Sequence, residues 1–466
     1  MTSQQPQRFN GHLLQESSEI PIEAQYASRF SLMVRFINGF PSDRSANFSK
    51  LIFPKNGNNI EIGPCRYIAE PGIENFQGRL VFNHNVYDLN SLFFKNKIDT
   101  LQTEFSNLPL ILAHKSKIKP EFKEFTANLT YDLNAYKQIF DTLDARCADE
   151  PEKIKQMVQE AIIETEGRKF MRFLDQKLEE FENIVINYSK KEHERHGYYF
   201  RKQIWHFLMC SPFMARTNLK PRGYSGDSVM MKMLYDNSYE GASTFAKLMH
   251  KHPNEHPGAQ AVRNRRQLIS RMLGNLKSAK RAVNGGRLRI LSVACGPAFE
   301  LQDILNSAED CDKFEFALLD QDKTALSEAE SLIAKLEKQF GTKIEFELLN
   351  ESVRTMLTTP KLDKMWGKFD YIYSMGLFDY LTPPVAKAVI EKLYKILKVG
   401  GEMVVGNFHI SNASRYYMEY WLDWVLYYRT EQEFIELMKN VSSANPRVIF
   451  EDTGCQMFLR VEKFEH

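Results

Sequence analysis

The sequence predicts an α/β protein: a seven-stranded, doubly wound sheet with a terminal antiparallel hairpin, preceded by a helical region and a small N-terminal β-domain. Three observations carry this. From Leu288 onward, apolar runs (LRILSVA, KFEFALLD, KIEFELLN, FDYIYSM, EMVVGNF) alternate with helical stretches, which is how a parallel sheet covered on both faces reads. The last two runs, RVIFEDT and MFLRVEKF, are joined by a short glycine-containing turn, and a short turn joins antiparallel strands only. Upstream, the texture changes from β-rich to helical near residue 87. The expected divisions are 1–86 (tail and β-domain), 87–210 (helical), 211–286 (a capping loop with helices) and 287–466 (the sheet).

Composition bounds the function. The 466 residues suffice for about three domains. An apolar fraction of 43% and a charged fraction of 26% are those of a globular protein. The formal net charge of +2 gives no footprint for nucleic acid. Six scattered cysteines form no C-x-x-C pair, as expected of buried thiols in a reducing compartment. The polar start lacks the apolar core of a signal peptide, and no stretch is apolar for the length of a bilayer span. The expected location is cytoplasmic, without stable membrane insertion.

Met1 to about Glu23 reads as a loose tail. RFSLMVRFI, KLIF, NIEIGPCRYIAE and GRLVFN follow, separated by turn clusters such as PKNGNN, the pattern of a small barrel or sandwich. A cyclic-dinucleotide site of the PilZ kind is not complete there: Asp43 and Ser45 begin the required turn, but Phe48 stands in place of its glycine. A structural or dimerising module is the favoured reading. Helical periodicity then covers Asp88 to Leu108, Glu121 to Cys147 and Pro151 to Cys210. Met171, Leu174, Leu178, Phe181, Val185 and Tyr188 form an apolar seam, read as an internal hairpin, with a homodimer seam as the alternative. His193 and His196 could hold a metal, but a solvated helix face is favoured. Two prolines and two glycines break the helix at Ser211 to Asp227, where Arg222, Tyr224 and Asp227 sit on a loop able to wrap a ligand. In the helix that follows, Arg263 is placed to pair with a small carboxylate, such as the methionyl tail of a cofactor. Arg265 and Arg266 read as a solvated basic face.

The stretch Leu288 to Leu301 passes from an apolar strand through Ala294, Cys295 and Gly296 into helix-forming residues. Without a side chain, Gly296 lets backbone approach an adenosyl or phosphate group, and the next helix N-terminus adds N–H groups. A simple tight turn is the alternative. Continued as a helix, the stretch NASRYYMEYWLDWVLYYRT would put Tyr417, Tyr420, Trp421, Trp424 and Tyr428 on one side, first as core and second as a wall for an acyl chain or a quaternary amine. Arg429 beyond it could anchor an anion.

The strand order with its terminal hairpin resembles the class I (Rossmann-like) S-adenosylmethionine methyltransferases. That resemblance implies S-adenosyl-L-methionine as cofactor, with Asp320 on the ribose hydroxyls beside Gln321. It places Asn350, Glu351 and Ser352 at the adenine, and Ser374, Met375, Gly376, Phe378 and Asp379 near the methyl group. No N-P-P-Y motif follows the fourth strand; Thr382, Pro383 and Pro384 read as a helix start, so amide and adenine methylation are disfavoured. The segment from Lys220 to Arg266, with R-G-Y-x-G-D and A-V-R-N-R, together with GLFDYL and EYWLDWVLYYRT, resembles the bacterial proteins of extracellular-factor (3-hydroxypalmitic acid methyl ester) biosynthesis. IEIGPCRYIAEPG and GRLVF extend the likeness over nearly the whole chain. It implies methylation of a 3-hydroxy fatty acid carboxylate to a signalling methyl ester. Tyr224, Arg263 and Asp379 are then expected around the cofactor and reaction centre, and Tyr428 and Arg429 toward the substrate. The competing readings are an amine N-methyltransferase with an aromatic cage, and a non-catalytic sensor.

Overall fold

The computed structural model describes residues 8–15, 18–28, 31–37, 45–55, 58–69, 77–82, 112, 115–284, 286–441 and 445–464. The chain divides into two compact units, 1–117 and 118–466. The expected boundaries at 210 and 286 fall inside the second unit, and the expected helix Asp88 to Leu108 lies outside the described residues.

The first unit is an eight-stranded antiparallel sheet of β1 (Arg8–Gln15), β2 (Ser18–Ser28), β3 (Ser31–Phe36), β4 (Ser45–Phe48), β5 (Lys50–Lys55), β6 (Asn58–Ile62), β7 (Cys65–Ala69) and β8 (Gln77–Phe82), in the order β4-β7-β8-β3-β2-β1-β5-β6. The expectation of a loose tail is corrected here, because β1 pairs along its whole length with β2, from Arg8↔Gln25 to Gln15↔Ser18. Ile22 and Ala24 alternate with polar residues and are buried beside Leu13, so a period of two lay under a polar composition. Phe48 is a core residue of this unit, packed with Phe36 and Tyr67, which explains an aromatic where a ligand turn would need glycine. Asp43 lies outside the described residues.

The second unit begins with eight helices: α1 (Pro120–Arg146), α2 (Glu152–Ile162), α3 (Arg168–Val185), α4 (Lys190–Leu208), α5 (Pro212–Leu219), α6 (Ser228–Asp236), α7 (Thr244–Glu255) and α8 (Pro257–Asn284), with a π-turn at Ile163–Gly167. The seam on α3 is internal: Leu174, Phe181 and Val185 are buried, and Phe181 meets Phe122 of α1 and Phe200 of α4. Ser189 starts α4 through a reciprocal capping box with Glu192. His196 accepts from the Lys119 amide and faces the Glu192 carbonyl, and His193 bonds the Tyr420 hydroxyl. His196 is fully buried and His193 half-buried against Tyr420, not the solvated face expected.

Seven strands follow, β9 (Leu288–Val293), β10 (Phe314–Leu319), β11 (Glu345–Leu349), β12 (Phe369–Ser374), β13 (Leu397–Phe408), β14 (Arg447–Phe450) and β15 (Gln456–Glu462), ordered β11-β10-β9-β12-β13-β15-β14. The first five are parallel, and β15 runs antiparallel to both β13 and β14. The helices between them are α9 (Leu301–Ile304), α10 (Ala308–Cys311), α11 (Lys323–Phe340), α12 (Val353–Thr358), α13 (Leu362–Trp366), α14 (Pro383–Lys395), α15 (Arg415–Trp421) and α16 (Glu431–Glu436). Two apolar layers cover the sheet, one around Val293, Phe369 and Leu393, the other around Ile290, Phe316 and Ile333. The α1–α7 core continues without a break into Phe408, Tyr417 and Trp424, so the helical region is built onto the C-terminal ends of the sheet strands.

Candidate functional site

Parallel strands leave a crevice beyond their C-terminal ends where the strand order reverses. Here the reversal lies between β9 and β12, and a cavity of about 460 Å³ opens at that point. Its floor is the turn after β9. Ala294, Gly296 and Ala298 all have left-handed backbone (φ +54°, +55° and +51°), a conformation that is strained for alanine and persists where its surroundings enforce it. Gly296 lines the cavity, and a Cβ built on it meets nothing within 4 Å.

Asp320 closes the floor from β10. Its carboxylate accepts from the Gly296 amide (2.8 Å) and the Asp322 amide (2.9 Å). Burial raises its pKa, and these amides pull the other way. Glu300 is also buried on the cavity wall, with its pKa raised by burial, and accepts from the Tyr373 hydroxyl at 2.7 Å. Across from it, α8 sends in Arg265, 6% exposed, which donates to the Met375 carbonyl at 3.2 Å. The Nε of Arg265 is shielded from solvent and has no hydrogen-bond partner.

Asp379 sits in the 3-10 turn Phe378–Tyr380 after β12, 2% exposed. It accepts from the Phe408 amide at 2.6 Å, and burial pushes its pKa up to about 6. The roof comes from the 220–227 turn. Arg222 ties it across the cavity mouth to Asp322 (2.9 Å) and Glu328 (3.2 Å), while buried Asp227 caps α6 and pairs with Arg216. Tyr224 lines the roof edge-on to Tyr380, whose hydroxyl accepts from Trp424 Nε1 at 2.8 Å.

Of the expected residues, Tyr224, Ala294, Cys295, Gly296, Asp320, Gln321, Glu351, Ser352, Met375, Gly376 and Asp379 line this one cavity. Five do not. Arg263 points to the other side of α8, where it donates to the Leu234 and Asn254 carbonyls and Gln260; two residues further along a helix turn the side chain through about 200°, so Arg265 is the arginine that enters. Asn350 ties β11 to the Asp320 and Gln321 carbonyls, and Ser374 ties β12 to the Val293 carbonyl. Arg429 is buried and donates to the carbonyls of Phe378 (2.8 Å) and Leu381 (2.6 Å) and to Asn407. It fastens the loop that carries Asp379 and does not line the cavity. Tyr428 lies against Arg415 and the helical core. The aromatic helix stops at Trp421, and Asp423 turns left-handed (φ +47°), held by Lys220 and Arg201. Tyr417, Tyr420 and Trp421 are therefore core, and Trp424 alone of the five swings to the cavity.

No protein-family model matches the chain, and no curated protein matches it. Solved structures similar to it include a possible exported protein from Bordetella parapertussis (18% identity over 56% of this chain and 87% of that one, TM-score 0.44). Also similar are magnesium protoporphyrin IX methyltransferase from Synechocystis with bound SAH (11% identity, 44% of this chain, 84% of that one, TM-score 0.33) and an N-methyltransferase from Bradyrhizobium japonicum (13%, 43%, 96%, TM-score 0.29).

Proposed function

We propose that the chain is an S-adenosyl-L-methionine-dependent methyltransferase acting on a small molecule with an apolar body. The observation that carries this is the donor set of the cavity. A buried carboxylate at the end of β10 suits a ribose diol, and a buried carboxylate and a buried arginine in the same cavity, Glu300 and Arg265, suit the two ends of an amino-acid zwitterion. Arg265 spends hydrogen bonds on Met375 and Met231 rather than on Glu300 and keeps Nε in reserve. The open direction above Gly296 leaves room for the adenosyl body against backbone, and Glu351 and Ser352 border the same space. Bound there, S-adenosylmethionine supplies an electrophilic methyl group to a nucleophilic acceptor.

The chain's own contribution is positioning and exclusion of water. Arg222 fastens the roof loop, and Tyr224, Tyr380 and Trp424 give a largely apolar rim that continues into Met231, Leu381 and Phe408. That wall suits the carbon chain of a 3-hydroxy fatty acid, whose carboxylate is already ionised near neutral pH and needs no strong base. N-methylation of a small amine has its own support in Asp379 beside these three aromatic rings, a pairing that favours a cation. Incubation with isotopically methyl-labelled S-adenosylmethionine and a panel of 3-hydroxy acids and amines, read by mass spectrometry, decides between them. A labelled methyl ester is the expected product; a labelled amine selects the second reading. Tight cofactor binding with no product from any member of the panel leaves a sensor.

A further inference from the structure

Away from that cavity, two histidines and a carboxylate converge at the joint between α7 and α8. His252 is in the last turn of α7, and His256 lies just past its end in extended backbone (φ −69°, ψ 154°), between Pro253 within the helix and Pro257 at the start of α8. Asp175 comes from α3. His252 Nε2 lies 3.0 Å and His256 Nε2 lies 3.5 Å from the same oxygen, Asp175 Oδ1. All three atoms fall within 4.8 Å of one another. Tetrahedral bonds of about 2.0–2.1 Å put ligand atoms about 3.4 Å apart, and the two edges to Asp175, 3.0 and 3.5 Å, bracket that length.

We propose that Asp175 Oδ1, His252 Nε2 and His256 Nε2 bind one divalent transition-metal ion of the zinc class. The surroundings are those of a built site. His252 is 2% exposed, and its other ring nitrogen bonds the Tyr417 hydroxyl at 2.7 Å, which fixes the ring plane as outer partners do for metal-bound imidazole. His256 Nε2 is shielded from solvent and makes no hydrogen bond of good geometry. Asp175 is 56% exposed, so water reaches the fourth position from its side. Two imidazoles with one carboxylate match borderline cations and not calcium or magnesium, which take oxygen ligands. The ion ties α3 to the α7–α8 joint and, through Tyr417, to α15, the helix that leads into Trp424. Its role is to hold the helical cap together; it lies outside the methyl-transfer cavity, so the site stands whether or not that function does.

The test uses the full chain, stripped with a chelator and titrated with zinc chloride by calorimetry, with cobalt(II) chloride as a spectroscopic probe. One zinc per chain with a Kd at or below about micromolar is expected, with the visible bands of four-coordinate cobalt(II) and a higher melting temperature in zinc. Asp175→Ala and His256→Ala should each weaken zinc binding by about 10-fold or more and remove its effect on melting. Asp175 is half-exposed, so its variant keeps the fold and decides the matter should the His256 variant fail to fold. Absence of saturable binding, or binding of undiminished strength in Asp175→Ala, overturns the proposal.

Discussion

Asp379 shows most directly how a single residue is set against stability. Its folded pKa of about 6 lies above the ordinary value of 3.8. Between those two pH values the folded chain keeps a proton that the unfolded chain has lost, so the group's contribution to stability is full in acid and declines as pH rises toward 6. Asp379→Asn removes the cost of a buried charge while an amide oxygen can still accept from Phe408. Denaturant melts should find the variant more stable than the parent at pH 7.5, by about 1–3 kcal/mol, with the gap closing near pH 4, and methyl transfer should fall; a variant less stable at both pH values contradicts this account of the site. The two arginines of α8 divide differently. Arg265→Ala should weaken S-adenosylmethionine binding by about 1.5–3 kcal/mol, the range for a hydrogen bond to a charged group. Arg263→Ala should leave that affinity nearly unchanged while lowering the melting temperature, since the Leu234 and Asn254 carbonyls lose their donor. The sequence pointed to an arginine from this segment but chose the wrong one, because the side of α8 that meets the sheet is fixed by packing with α6 and α7, not by any local signal.

At the scale of elements, strands were the most legible features. The runs Leu288–Val293, Phe314–Leu319 and Phe369–Ser374, apolar but for Arg289, Glu315 and Asp370 near their starts and two serines, are buried as sheet centres, and short glycine-bearing Thr453–Cys455 announces the terminal hairpin. The aromatic stretch after β13 is core, as its density suggests, but it departs from helical periodicity past Trp421, because the chain is turned at Asp423 by ion pairs to Lys220 and Arg201, residues more than 200 positions away in sequence. The same holds for Arg429, whose position at the end of an aromatic run suggested a substrate anchor. It is instead the fastener of the Asp379 loop. Arg429→Met should therefore destabilise the chain by about 2–4 kcal/mol, because two buried carbonyls and Asn407 lose their charged donor. Thermal melts check this, and a variant that melts like the parent but shows a raised KM for acid substrates would restore the anchor role.

For the whole molecule, every residue lining the cavity belongs to 118–466. That unit expressed alone should fold cooperatively and bind S-adenosylmethionine within about threefold of the full chain, since it keeps every residue that lines the cavity; a large loss would place part of the binding machinery in residues 1–117. Calorimetric titration of S-adenosylmethionine into the full chain and into Asp320→Ala tests cofactor binding in this cavity. One site per chain, weakened in the variant by about 1–3 kcal/mol as expected for lost hydrogen bonds to a carboxylate, is the predicted result. No binding by the parent chain, or equal binding by both, would contradict it.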